Sequence, residues 1–259
     1  MVDFLDFIIQ DVKRTINEGY YNVQFNSRRV KRSLKDSIMK CKKVPIIAEI
    51  KLASPKNGVL KKEINMEEMA ISIKRGGAIG ISVLTEPKHF KGSLKTISIV
   101  REVVDLPILM KDFIIDPIQI EAANKIGADA ILLIKSIFDR KFSKINLNKM
   151  IEIAKSKNIE VLLEVHNEAE FLSSLQTKAD MIGINNRDLG NLNVDLEVTK
   201  RILSKISNKG RVIVSESGIS TFNDVKMLHS FGVHAFLIGT AIMTANDVEA
   251  KVHEFVEAM

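Results

Sequence analysis

The stretch LPILMKDFIIDPIQIEAANKIGADAILLIK, residues 106–135, holds one complete unit of the fold. It opens with a short apolar run, Leu106 to Lys111. Asp116 then stands as a helix N-cap with Pro117 at the first helical position, and Gly127 closes the helical pattern. A second apolar run, Asp129 to Lys135, follows at once. Both runs are continuously apolar, which suits parallel strands covered on two faces. Two parallel strands joined by a helix form a βαβ unit.

Working outward, the unit repeats. Runs rich in Ile, Val and Leu recur as VPIIAEI (44–50), AIGISVLT (78–85), LPILMK (106–111) and DAILLIK (129–135). They continue as EVLLEV (160–165), DMIGINN (180–186), RVIVSES (211–217) and HAFLIGT (234–240). Helical patterns lie between them. MEEMAISIKRGGA puts Met66, Met69 and Ile73 on one face and stops at Gly76-Gly77, and STFNDVKMLHSFGVHA ends at Gly232. Eight strands alternating with helices predict an α/β fold, a (β/α)8 TIM barrel. An open doubly wound sheet is the alternative, and the chain lacks the G-x-G-x-x-G loop that such sheets use for dinucleotides. Residues 1–43 are read as a helical N-terminal extension capping the barrel, 44–259 as the barrel, and 1–259 as a single domain.

Composition narrows the classes. Of 259 residues, 46% are hydrophobic, enough for a large core. No apolar run approaches the roughly 18 to 20 residues of a membrane span, and MVDFLDFIIQDVKR lacks the pattern of a signal peptide. The single cysteine, Cys41, excludes an internal disulfide framework and points to the cytoplasm. The net charge of +6 is densest in SRRVKRSLKDSIMKCKK (27–43). No aromatic residues interleave there and no zinc-finger spacing exists, so it reads as a solvated helix rather than a nucleic-acid surface. The histidines at 89, 166, 229, 234 and 253 show no metal-ligand spacing.

Nearly every apolar run ends in polar residues. These are Glu49, Lys51 and Ser54; Lys111 and Asp112; Glu164 and His166; Asn185, Asn186 and Arg187; Glu216 and Ser217; Gly239 and Thr240. In a barrel these ends share one rim, where barrel enzymes build active sites. Glu49 and Lys51, two apart, point to one side. Glu49, Glu164 and Glu216 facing Lys51 and Lys111 supply acids and bases for multi-step proton transfer. Asp112 and His166 are read as alternating away from Lys111 and Glu164, and so as packing residues. Arg187 is expected to pin its loop through a carboxylate such as Asp188 or Asp195. Ser217-Gly218 and Gly239-Thr240, after the seventh and eighth strands, read as an anion site.

These residues resemble indole-3-glycerol-phosphate synthase. AEIKLASPKNG matches that family's K-x-x-S-P-x-x-G segment, and SVLTEPKHFKGS, LPILMKDFIIDPIQI, LLEVHNEAE, IGINNRDL, VSESGI and LIGTAIM follow in the family's order. The resemblance implies conversion of 1-(2-carboxyphenylamino)-1-deoxyribulose 5-phosphate to indole-3-glycerol phosphate, CO2 and water. It implies Lys111 as the general acid of ring closure and Glu164 as base or proton shuttle. Lys51 is implied near a substrate anion, as a candidate acid in dehydration, with Glu49 orienting the lysines. Ser54 and Arg187 join the substrate site, and Asn185, Glu216 and Ser217 hold sugar hydroxyls. Gly218, Gly239 and Thr240 cradle the phosphate, and Phe90, Phe113 and Leu133 wall the anthranilate ring. No cofactor and no metal are implied. The expected partner is an anionic phosphosugar, with no nucleic acid and no membrane, and the chain is expected to work as a monomer. Lys135 matches no motif of the family. The isomerase of the preceding pathway step needs a cysteine where Glu49 stands. A Schiff-base aldolase using Lys111, and a basic barrel that binds nucleic acid, are the other rivals.

Overall fold

The computed structural model describes residues 3–24, 30–54, 58–60 and 64–259. Ser27 to Arg29 of the basic stretch and Pro55 to Asn57 of the K-x-x-S-P-x-x-G segment lie outside the described residues.

The strands are β1 (Ile46–Ile50), β2 (Ala53–Ser54), β3 (Gly58–Val59), β4 (Gly80–Leu84), β5 (Ile108–Lys111), β6 (Ala130–Ile134), β7 (Glu160–Val165), β8 (Met181–Asn185), β9 (Val212–Glu216) and β10 (Ala235–Ile238). β2 and β3 form a small antiparallel hairpin just beyond β1. The other eight close into a barrel in the order β1-β10-β9-β8-β7-β6-β5-β4, with every pairing parallel. Each coincides with one of the eight apolar runs, β7 in full and the others shortened by one or two residues at one or both ends.

Helices α3 (Met66–Arg75), α4 (Leu94–Val103), α5 (Pro117–Ile126), α6 (Lys135–Asp139), α7 (Leu147–Ser156), α8 (Glu168–Ser174), α9 (Glu197–Lys205), α10 (Phe222–Ser230), α11 (Thr240–Met243) and α12 (Val248–Val256) follow barrel strands. The decisive unit folds as its residues dictate. Asp116 caps α5 with its side chain on Ile118 N, Gln119 completes a capping box, and Gly127 ends the helix at φ +98°.

Strand side chains divide by parity into two cores. Ile131, Leu133, Val161 and Leu163 pack outward against the helices. Leu109, Leu132, Leu162, Met181 and Leu237 fill the interior together with residues of the N-terminal extension. That extension supplies α1 (Phe4–Asn17) and α2 (Leu34–Lys40), which sit at opposite ends of the barrel. α1 lies over the C-terminal ends of the strands, where Asp3 meets Arg140 at 2.8 Å, Asp11 meets His89 at 2.9 Å, and Phe4 N donates to Gly190 O. Tyr20 and Tyr21 bond Thr85 O and Asp112, and Arg32 N bonds Asp129. α2 closes the floor, where Glu160 accepts from Leu34 N at 2.7 Å and Leu34 packs beneath Gly80.

Candidate active site

β1 delivers Glu49 into the mouth, and Lys51 follows just past the strand. Lys51 Nζ lies 2.8 Å from Glu49 Oε1. β5 delivers Lys111, whose Nζ stands 3.7 Å from Glu164, 3.9 Å from Glu216 and 4.0 Å from Glu49. The three carboxyl groups come from β1, β7 and β9 and are almost fully buried. Glu164 Oε2 and both oxygens of Glu216 have no hydrogen-bond partner. Buried polar atoms are normally satisfied, so these point to a role outside the resting fold.

Two glycines make room for this cluster. A Cβ on Gly183 in β8 would sit 2.1 Å from Glu216 Oε1, and one on Gly239 would sit 2.3 Å from Glu49 Oε1 and 3.1 Å from Lys51 Nζ. Gly239 thus clears space for the Glu49–Lys51 pair as well as lining the cavity beside Thr240. Ser217 and Gly218 both hold left-handed backbone, at φ +66° and +84°. Only glycine fits at 218, where a Cβ would meet Val194 Cγ1 at 2.5 Å.

The electrostatics sort the groups into roles. Burial opposes charge on Lys111, but Glu164, Glu49 and Glu216 outweigh it and hold the ammonium protonated above its ordinary range. Burial likewise opposes ionisation of Glu49 and Glu164. Lys51 and Lys111 bring Glu49 below the usual carboxylate range, while Lys111 and His166 pull Glu164 to about 2. Glu216 goes the other way. Burial, with the Glu164 charge beside it, pushes it up to about 8. Near neutrality the mouth therefore holds a charged acid in Lys111, ionised carboxylates in Glu49 and Glu164, and a protonated carboxyl in Glu216.

A cavity of about 470 Å³ opens on this cluster. It gathers Glu49, Lys51, Ser54, Phe90, Lys111, Phe113, Glu164, Asn185, Arg187, Glu216, Ser217, Gly218, Gly239 and Thr240. The exception among the expected site residues is Leu133, which packs in the outer core against the helices. Its neighbours Leu132 and Ile134 line the cavity instead. Leu189, Leu192, Val194 and Ile219 add apolar wall that sequence reasoning missed.

Three further expectations are corrected. Arg187 pins its loop through a backbone carbonyl, Leu192 O at 3.0 Å, rather than a carboxylate. Asp112 lines the cavity as well as packing, and is held by Tyr21 Oη at 3.0 Å, Thr85 Oγ1 at 2.6 Å and Phe113 N at 2.8 Å. His166 does not alternate away from Glu164. Two residues on, it lies on the same side, with Nε2 3.2 Å from Glu164 Oε1. Lys135 pairs with Asp139 within α6, away from the cavity. Asn186 is structural and ties β8 to β9 through Ser215 Oγ, Glu216 O and Ser217 O. Among the described residues, no cluster of three His, Cys, Asp or Glu side chains could hold a metal ion, and no helix is long and apolar enough to cross a membrane.

The profile of the family described as indole-3-glycerol phosphate synthase matches residues 5–255. The chain belongs to the indole-3-glycerol phosphate synthase family. Named members share its length as well as its residues. That of Lachnospira eligens is 40% identical over 267 residues, covering 98% of this chain and 97% of its own. That of Methanocaldococcus jannaschii is 41% identical over 254 residues, covering 96% and 91%. Among solved structures, thiamine phosphate pyrophosphorylase from Pyrococcus furiosus superposes with a TM-score of 0.63 at 18% identity, over 87% of this chain and 97% of that one. That likeness concerns the fold alone. Membership of the synthase family makes the chain a carboxy-lyase of tryptophan biosynthesis that forms indole-3-glycerol phosphate.

Proposed function

We propose that the synthase reaction runs at the Lys111 cluster, with each group in the following role. Lys111 protonates the ribulose carbonyl oxygen as the ring carbon bearing the carboxylate attacks the carbonyl carbon. Loss of CO2 then restores aromaticity. Glu164 takes the proton that leaves in dehydration, while Lys51 assists departure of hydroxide. Glu49 bridges the two lysines, 2.8 Å from Lys51 Nζ and 4.0 Å from Lys111 Nζ, and helps keep Lys111 charged. The anilino ring supplies the electrons, so the chemistry asks for no cofactor.

The substrate is held at two anionic ends. Lys51 and Arg187 provide positive charge on one side of the mouth. The backbone at Gly218, Gly239 and Thr240 receives the phosphate, and Ser54, Asn185, Glu216 and Ser217 receive hydroxyls and the carboxylate. Phe90 and Phe113, with ring centroids 6.0 Å apart, form the aromatic wall with Leu132 and Ile134. We take a monomer as the working unit. Size-exclusion chromatography with light scattering checks this. α1 and α2 share the interior core with the strands, which supports one domain, and a single cooperative melt is expected. A phosphorylated intermediate of biosynthesis as substrate supports a cytoplasmic site of action.

The observation that carries this reading is Lys111 Nζ within 4.0 Å of three buried carboxyl groups. The test is incubation with 1-(2-carboxyphenylamino)-1-deoxyribulose 5-phosphate while following indole fluorescence. Turnover that persists undiminished in Lys111→Met would remove Lys111 from the mechanism.

A further inference from the structure

Glu164 divides its two oxygens between different neighbours. Oε2 is buried, has no hydrogen-bond partner and faces Lys111 Nζ at 3.7 Å. Oε1 forms an ion-pair contact with His166, 3.2 Å from Nε2, and Nε2 makes no hydrogen bond there. The imidazole is gripped from behind. Its Nδ1 lies 3.3 Å from Glu170 Oε2, and the same oxygen accepts His166 N at 2.8 Å. Glu170 stands on α8, which begins immediately after this turn and is capped by Asn167. A single line of side chains thus runs Glu170, His166, Glu164, Lys111, from a surface helix to the middle of the cavity.

Both ring nitrogens of His166 face carboxylate oxygens. A neutral imidazole has one N–H and one lone pair, so one of these contacts would set lone pair against lone pair. Only the imidazolium is attracted to both, by a hydrogen bond at Nδ1 and by charge at Nε2. The charged groups facing the ring are Glu164 on its own strand end, Glu170 from α8, and beyond Glu164 the Glu216 carboxyl and the Lys111 ammonium.

We propose that His166 is a positioning residue for the synthase reaction: an imidazolium, clamped by Glu170, that holds Glu164 by one oxygen so that the other is aimed at Lys111 and the substrate. The inference rests on the role given to Glu164 above. It explains why Oε2 of a buried carboxylate stays unpartnered without turning away. With its twin oxygen ion-paired to a fixed cation, rotation into another pose costs the group that contact. The electrostatics agree. Burial opposes charge on the ring, but hydrogen bonds and negative charge from Glu164 and Glu170 push it up to about 10. The clamp also helps keep Glu164 in its basic form, the form needed to accept a proton.

Two measurements test this. In protein labelled with 15N-histidine, both ring nitrogens of His166 should be protonated at about pH 8, well above the ordinary imidazole range near 6.5. A neutral tautomer there overturns the clamp. The second is a kinetic cycle of His166→Gln, Glu164→Gln and the double variant, read as single turnovers with enzyme in excess. Loss of aim should lower kcat by about 10²-fold, the scale of a roughly 1 Å misplacement, with KM little changed. In the Glu164→Gln background the same substitution should cost almost nothing, because its only route of action is gone. Glu170→Gln should lower kcat in the same direction by less, and it decides the matter if His166→Gln does not fold. An unchanged kcat in folded His166→Gln and Glu170→Gln, or an equal loss with and without Glu164, overturns the inference. Undiminished turnover in Glu164→Gln alone instead overturns the role given to Glu164.

Discussion

Asp129 at the floor of the barrel and Glu216 at its mouth are equally buried carboxyl groups in opposite circumstances. Asp129 accepts from Ile108 N at 2.8 Å and Arg32 N at 2.9 Å and pairs with Arg101. Glu160, also at the floor, accepts from Leu34 N and Lys35 N. Asp180 there takes Val161 N and Lys155. The floor thus spends its lone pairs on fixed backbone donors. At the mouth Glu216 has no hydrogen bond on either oxygen, and Lys111 stands 3.7 to 4.0 Å from each of three acids without closing on any one. Charge alone does not mark the functional end of the barrel. Unfinished hydrogen bonding does, because a group already paired in the resting state has little left to offer a transition state.

The comparison can be broken at either end. Lys111→Met should lower kcat by at least the 10² to 10⁴ typical of a positioned acid while the protein still folds, because the carboxyl groups left behind can take up protons. Asp129→Ala should do the reverse. Removing one partner of a buried pair costs about 3–5 kcal/mol, so thermal or urea unfolding should show a large loss of stability while kcat in the folded fraction is unchanged. A substantial kcat defect in Asp129→Ala would erase the division between the two ends.

Gly183→Ala probes the mouth without touching a charge. Its new Cβ collides with Glu216 Oε1, so Glu216 must move. The expected loss in kcat/KM is about 10²-fold, again the scale of a roughly 1 Å displacement. Full activity would mean that the placement of Glu216 is dispensable.

The smallest effect is a pH slope. Glu216 is pushed up to about 8 in the fold, from an ordinary value of 4.5. Between those values the unfolded chain has released a proton that the fold retains, so this group's contribution to stability falls as pH rises. Glu216→Gln removes the proton and the slope. Between about pH 6 and 7 the stability difference, variant minus parent, should grow by about 1 kcal/mol, within the limit of roughly 1.4 kcal/mol per pH unit for one proton. A difference that is flat across that range would mean Glu216 is ionised like an ordinary carboxylate.

The barrel itself was legible because each strand announces itself as an apolar run, and because caps such as Asp116-Pro117 and Gly127 punctuate the helices between them. The charged mouth was legible because Glu49, Lys111, Glu164 and Glu216 stand at the C-terminal ends of those runs, although Asp129, Glu160 and Asp180 open others at the floor. What the sequence concealed was direction. AILLI in β6 is apolar on both faces, so nothing in its pattern distinguishes Leu133, which faces the helices, from Leu132 and Ile134, which face the cavity. Arg187 was assigned a carboxylate partner although a backbone carbonyl serves it, and carbonyls leave no trace in composition. The placing of α1 over the mouth and α2 under the floor depends on contacts more than 100 residues apart, which local pattern does not carry.

Those long-range contacts also fix an order of events. α1 is made before every barrel strand, yet its partners are His89, Arg140 and Gly190. α2 is made next, and the carboxylate that caps it is Glu160. Neither helix can reach its place until most of the chain has left the ribosome. The barrel therefore covers its mouth and its floor with helices made before its strands. Until then the apolar faces of α1 and α2, with Leu5, Ile8, Ile9, Val12, Leu34 and Ile38, remain in water or in the care of a chaperone.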